Sequence, residues 1–145
     1  MDELDRRILL EYLRDARQSS REIARKVGVS TGTVLARTRR MEEEGVIRGY
    51  SAIIDHAKLG YQLTAVTEVT VSKGRLLEVD REIAGMPCVC AVYDVTGEID
   101  AVIIAKFRSV AELSSFTKRL LANPYVERTN THVVLNVIKE DFRMV

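Results

Sequence analysis

Three residues, Gly28-Val29-Ser30, separate two helical stretches, and that spacing constrains the fold more than any other feature of the chain. Upstream, Ser19-Ser20-Arg21-Glu22 carries a Ser-x-x-Glu capping box, in which hydroxyl and carboxylate each satisfy a free helix-end amide. Ile23, Ala24 and Val27 follow as a short apolar stripe. Gly28 can take the left-handed conformation that closes such a helix. Ser30 then begins a further helix that runs to about Glu44, where Gly45 stops it. Before both, Leu4, Ile8, Leu9 and Leu13 recur at helical spacing behind Asp2, a suitable N-cap. Three helices therefore fit within about 45 residues, the last two joined by a turn too short for anything but a sharp corner.

The net charge of +1 gives no hint of what this corner meets, because it averages over an asymmetry. Residues 17–41 hold Arg17, Arg21, Arg25, Lys26, Arg37, Arg39 and Arg40 against Glu22 alone, a local +6, with acids on both flanks. Residues 51–145 hold 11 basic and 12 acidic groups. On the third helix, Val34, Thr38 and Met41 share a face that would pack on Ile8, Ile23 and Val27. The opposite face carries Gly32, Thr33, Ala36, Arg39 and Arg40, with Arg37 on its flank. Small residues let a helix approach another surface closely. Arginines fork onto phosphate or onto guanine O6 and N7. The amides of Thr31, Gly32 and Thr33 behind Ser30 can meet a phosphate. That combination builds the recognition helix of a helix-turn-helix, and it predicts double-stranded DNA as partner, with Ser30, Thr31, Gly32, Thr33, Arg37, Arg39 and Arg40 as the contact set.

The second half alternates instead. Tyr61, Leu63, Ala65, Thr67, Val69 and Val71 lie on one side of a strand running to Ser72. A helix stripe follows (Leu76, Leu77, Val79, Ile83, Ala84), then strands over 88–95 and 99–107. Ser109 and Glu112 form a second capping box and open a helix that Asn123-Pro124 ends. The last strand spans 126–138. The order β-α-β-β-α-β is the ferredoxin-like split βαβ plan. The predicted fold class is α+β: a three-helix helix-turn-helix domain at 1–48, a hinge strand within 49–60 around Ile53-Ile54, and a ferredoxin-like domain at 61–145.

The composition, 46% hydrophobic and 30% charged, is that of a folded protein. No apolar run approaches the roughly 18 residues of a membrane span. The acidic Met1-Asp2-Glu3-Leu4-Asp5 opening is unlike a signal peptide. These features predict a cytoplasmic protein without a membrane partner. The two cysteines, Cys88 and Cys90, read as packing residues of one strand and not as half a metal site, because no second cysteine pair exists. No phosphate loop, nucleophile elbow or zinc-ligand run is present. No metal, no resident cofactor and no catalytic residue is expected.

Taken in order, several segments resemble the Lrp/AsnC, or feast/famine, family of transcriptional regulators. They are Leu4-Asp5-Arg6-Arg7-Ile8-Leu9, Ile23-Ala24-Arg25-Lys26-Val27-Gly28-Val29-Ser30, and Val34 with the run Arg39 to Ile47. Leu59-Gly60-Tyr61, Thr96-Gly97-Glu98-Ile99-Asp100 and Thr129-Asn130-Thr131-His132-Val133-Val134-Leu135 complete the set. The resemblance spans nearly the whole chain. It implies a sequence-specific regulator, not an enzyme, that dimerises through the C-terminal sheet, often assembles to octamers, and binds a small effector, usually an amino acid. The implied effector residues are Thr96, Gly97, Glu98 and Asp100 in the turn, with Thr131 and His132 on the last strand. For Asp100, ligation of an ammonium group and satisfaction of turn amides are both open. A lone strand histidine such as His132 is more often structural than ligating. An effector-independent architectural DNA-binding protein is the alternative. Siroheme decarboxylases share the two-domain plan, but they carry an Arg-Arg linker segment and a His-rich final strand. This chain has Ile47-Arg48-Gly49-Tyr50 and His132 there.

Overall fold

The computed structural model describes all residues, 1–145. They form two compact units, residues 1–54 with 140–145 and residues 55–139.

The first unit holds α1 (Glu3–Arg14), α2 (Ser20–Val27) and α3 (Thr31–Glu43). Each starts where a side chain satisfies an amide that the helix leaves open. Asp2 and Asp5 form a reciprocal capping box on α1, Ser19 and Glu22 form one on α2, and Ser30 accepts from Thr33 N–H on α3. Gly28 ends α2 in the left-handed region (φ 74°), which a residue with a Cβ enters only at a cost. The corner between α2 and α3 is therefore fixed by Gly28 and Ser30 together. Ile8, Ile23, Ala24, Val27, Val34 and Met41 close the core, with Thr38 buried beside them and its hydroxyl 3.3 Å from that of Tyr12. The last six residues pack with this unit. Arg143 Nη1 donates to the carbonyl of Leu13 at 3.4 Å.

The second unit is one antiparallel sheet with two helices. Its elements are β1 (Leu63–Val71), α4 (Leu76–Ala84), β2 (Val89–Asp94), β3 (Ala101–Phe107), α5 (Val110–Ala122) and β4 (Val126–Val133). The strand order β2-β3-β1-β4 is that of the ferredoxin-like plan. Alternation decides the faces. Ala65, Val69 and Val71 of β1 join Ile103, Ala105 and Phe107 of β3 against Val79 and Ile83 of α4 and Phe116 and Leu120 of α5. The face away from the helices carries the cross-strand rows His132–Val66–Ile104–Ala91 and Asn130–Glu68–Val102–Tyr93. Ser109 caps α5, but Glu112 returns its carboxylate to the Arg108 amide and not to Ser109, so the second capping box is shifted by one residue.

The hinge strand expected at Ile53-Ile54 is not formed. A strand exists only by pairing, and the single sheet of the chain takes its four strands from elsewhere. Ile53 and Ile54 are exposed. The final strand likewise stops at Val133, where β1 runs out of partners after Thr64 accepts from Val134 N–H.

Candidate nucleic-acid interface and effector region

On α3 the outward face is made by Thr31, Gly32, Leu35, Ala36 and Arg39, all exposed. Ser30 Oγ accepts from the Thr33 amide at 3.1 Å and lies 2.8 Å from the Thr33 hydroxyl, so Ser30 and Thr33 hold the helix start. The amides ahead of them carry the positive end of the helix dipole. Arg39 is 80% exposed and bonded only to Glu43, one turn on, at 2.8 Å. Such a surface pair is weak and gives way readily to a phosphate.

The side chains of Arg37 and Arg40 turn toward α1. Arg40, expected on the outward face, bends back over α1, and Arg37 does the same from the flank. Arg40 Nη2 sits 2.5 Å from Asp5 Oδ2, and Arg37 Nη1 sits 3.1 Å from Asp5 Oδ1. Arg37 also bonds Asp2. A helical wheel gives Cα directions, and a guanidinium on a long flexible stem follows the nearest buried carboxylate instead. The Asp2 carboxyl is held down to about 2, first by the amide of Asp5 and then by Arg37.

The charge of the front segment is thus largely answered within the fold. Lys26 bonds the buried Glu11 at 3.0 Å, which holds that carboxyl below its ordinary range, and Arg17 pairs with Asp15. Arg21 and Arg25, both exposed on α2, carry no ion pair. Beyond their share of the local charge they were assigned no contact, although their i, i+4 spacing puts them on one side of α2. Leu35, 55% exposed in the middle of the outward face, was also missed. A large apolar side chain left bare among small residues was the available signal.

In the second unit the turn 96–100 is short and open. Thr96, Gly97 and Glu98 are exposed, and Gly97 has φ 121°, a conformation that favours glycine. Asp100 is tied into the sheet. Its Oδ2 accepts from Val71 N–H at 2.7 Å, and its own N–H donates to Val69 at 2.9 Å. Of the two roles open for this carboxylate, the amide-satisfying one is occupied.

Thr131 and His132 do not share a site. Thr131 faces the helices, with its hydroxyl 3.1 Å from that of the buried Thr67, whereas His132 lies on the opposite face of the sheet. Successive strand residues point to opposite sides, and that period separates the two. His132 Nε2 is 3.2 Å from Asn130 Nδ2 and 3.7 Å from Glu68, so it belongs to a small polar cluster on the open face. A cavity of about 340 Å³ opens beside that cluster, lined by Glu68, Thr70, Ile99, Arg128, Thr129 and Asn130. None of the six sequence-assigned effector residues lines it. Glu68 and Arg128 escaped notice because strand pairing, which no local pattern encodes, brings β1 beside β4.

The Asp80 carboxylate on α4 is closed off from solvent with no hydrogen-bond partner. Burial, then the nearby Asp94 and Asp100, pushes its pKa up to about 7.

Two family models match the chain. The family model for a winged helix-turn-helix DNA-binding domain matches residues 1–48, and that for the Lrp/AsnC ligand binding domain matches residues 64–144. The chain is 45% identical over 144 residues to an HTH-type transcriptional regulator of Pyrococcus furiosus, covering 99% of this chain and 97% of that protein. It is 35% identical over 140 residues to the HTH-type transcriptional regulator FL11 of Pyrococcus horikoshii, covering 97% and 93%. Among solved structures, an AsnC family regulator from Agrobacterium tumefaciens superposes with TM-score 0.92 at 27% identity, over 100% of this chain and 97% of that one. A transcriptional regulator of Neisseria meningitidis in complex with L-Met gives 0.91 at 25% identity, over 100% and 96%.

Proposed function

The chain belongs to the Lrp/AsnC family of DNA-binding transcriptional regulators, and from that premise we propose how it engages DNA and effector. The amino end of α3 enters the major groove. Thr31, Gly32, Leu35 and Ala36 meet base edges, Arg39 reaches a guanine or a phosphate, and the Ser30–Thr33 turn abuts the backbone. Arg21 and Arg25 of α2 take phosphates alongside. The observation that carries this reading is the outward face of α3, made of small residues around an exposed Leu35 and uncharged apart from one exposed, weakly held arginine. Leu35 is suited to the methyl group of thymine.

The second unit receives an amino acid. The 340 Å³ cavity places a carboxylate, Glu68, and a guanidinium, Arg128, around one space. Those are the groups that would hold an ammonium and a carboxylate. The exposed turn at Thr96, Gly97 and Glu98 lies next to Ile99 of its wall. The L-Met complex of the Neisseria relative supports an amino acid as the class. The open face of the sheet, with Val66, Val102, Ile104 and Tyr93, is the surface through which two copies would join. A dimer presents two α3 helices to half-sites about one helical turn apart. Assembly to an octamer and residence in the cytoplasm complete the proposal. No helix is long and apolar enough to cross a membrane. The relatives are regulators, which supports a regulatory role over a catalytic one.

Fluorescence anisotropy on a duplex from upstream of the chain's own gene, against a scrambled duplex, tests the DNA half. Preference for the first, with affinity falling steeply as salt rises, is the expected result. Equal affinity for both would favour the architectural alternative. A thermal-shift screen of the twenty amino acids tests the effector half, since a ligand of the folded state raises the melting temperature. Abolition of that shift by Arg128→Gln is expected, and its persistence would move the effector out of this cavity. Light scattering gives the oligomer mass.

A further inference from the structure

Asp5 has no exposed surface, yet it is a carboxylate, and its bonds account for both oxygens. Oδ1 accepts from Arg37 Nη1 at 3.1 Å. Oδ2 accepts from the Asp2 amide at 2.8 Å and from Arg40 Nη2 at 2.5 Å. The Asp5 amide donates to Asp2 Oδ1 at 3.0 Å, which closes the capping box. This acid is held in place by its own helix. It stands in the first turn of α1, where the peptide dipoles favour negative charge. The arginines come to it. They leave α3 on the side next to the proposed DNA face, and at their full length they could have reached a phosphate.

We propose that Asp5 is a positioning residue for DNA recognition: it withholds Arg37 and Arg40 from the phosphates, so that α3 meets DNA with Arg39 as its only free arginine. The difference between the pairs supports this. Arg40, and Arg37 beside its closer bond to the half-exposed Asp2, are held by a carboxylate that water does not reach, whereas Arg39 and Glu43 are 80% and 62% exposed. A phosphate competes easily for Arg39. To win Arg40 it would have to strip a buried carboxylate of its closest guanidinium, leaving Arg37 and the Asp2 amide to answer the charge. The consequence is specificity. Phosphate contacts supply affinity for any sequence, and base contacts supply discrimination. A recognition helix that hides two of its three arginines gives up the first and keeps the second. The inference rests on α3 as the DNA-facing helix, and its test separates the two.

The test is the slope of log K against log salt for the full chain on a random-sequence duplex, read by anisotropy, since each phosphate neutralised contributes about 0.9 to that slope. Arg39→Gln should flatten it by about 0.9 per bound chain. Arg40→Gln should leave it unchanged. Asp5→Asn should steepen it by up to about 1.8 per chain, as two arginines are released. The same variant should bind random DNA several-fold more tightly and prefer its own operator less. The double variant Asp5→Asn with Arg40→Gln should lose about half of that gain. A wild-type slope in folded Asp5→Asn would overturn the proposal and make Asp5 a purely structural residue. Flattening by Arg40→Gln equal to that by Arg39→Gln would overturn it as well, and that comparison decides the matter if Asp5→Asn does not fold. No effect of Arg39→Gln would instead show that α3 does not face DNA as drawn.

Discussion

Asp5 and Asp80 are both carboxylates closed off from water, one in each unit, and their surroundings are opposite. Asp5 receives two guanidiniums and a helix amide. Asp80 has no hydrogen-bond partner and lies near two further acids, Asp94 and Asp100. The first is an anchor, because a buried charge that is fully paired costs little to keep and much to break. The second is a burden that the fold carries, because its charged form has nothing to offset the loss of water. Burial alone therefore says nothing about whether an acid stabilises. The neighbours decide, and they do so with opposite sign in the two units.

The largest effect expected from this contrast is in Asp5→Ala. Losing the carboxylate leaves Arg40 without its closest partner and opens the α1 capping box, which should lower stability by about 3 kcal/mol. The value sits at the low end for a broken buried pair because both guanidiniums are partly exposed and can turn to water. Denaturant melts at pH 7 measure it. A change below about 1 kcal/mol would mean that the pairing is no tighter than a surface contact.

Asp80→Asn should go the other way. Because the folded pKa is raised, the fold holds a proton that the unfolded chain has lost between about pH 4 and pH 7. Stability therefore falls as pH rises through that window and stays lowered above it. Asn removes the charge and offers donors toward the neighbouring acids. The expected gain is about 1–2 kcal/mol at pH 8, with solvent access already discounted, shrinking to near zero at pH 4. Melting temperatures across pH give the answer, and a gain equal at both ends would assign it to packing instead of charge. Glu11→Gln provides the matching control in the first unit. Its carboxyl is held below the ordinary range by Lys26, so its contribution is present above pH 4–5 and lost as pH falls. A loss of about 1 kcal/mol at pH 7, fading in acid, is expected.

How much of this was legible beforehand follows the range of the interactions. The caps at Asp2, Ser19 and Ser30, the left-handed Gly28 and the inward row of β1 are all settled by residues within a few positions of one another, and they are where the pattern puts them. The hinge strand failed because pairing is not a local property. The turn of Arg37 and Arg40 toward α1 was not legible for a related reason: their partner, Asp5, lies 32 and 35 residues away in sequence. Thr131 and His132 were grouped by the family resemblance, whereas the strand sends these neighbours to opposite faces. Glu68 and Arg128 come together only when β4 lies beside β1. The fold was thus readable, whereas the site was readable only where it is built from one helix.

The smallest effect on stability falls on a residue that neither carboxylate touches. Leu35 lies on the same helix as Arg37 and Arg40 but has no charge to be claimed by Asp5, and 55% of its surface stays open. Leu35→Ala should change stability by no more than about 0.5 kcal/mol, since the substitution removes little buried area and alanine suits a helix. It should also leave the salt slope alone, because no counterion is involved. If Leu35 packs on a thymine methyl, discrimination at one base pair should weaken by about 1 kcal/mol, and only there. Competition binding with operators mutated one pair at a time resolves this. A uniform loss across all positions would mean that Leu35 merely seats α3 against the groove. The division of α3 between arginines held by Asp5 and a face free to read bases would then need redrawing around Arg39 alone.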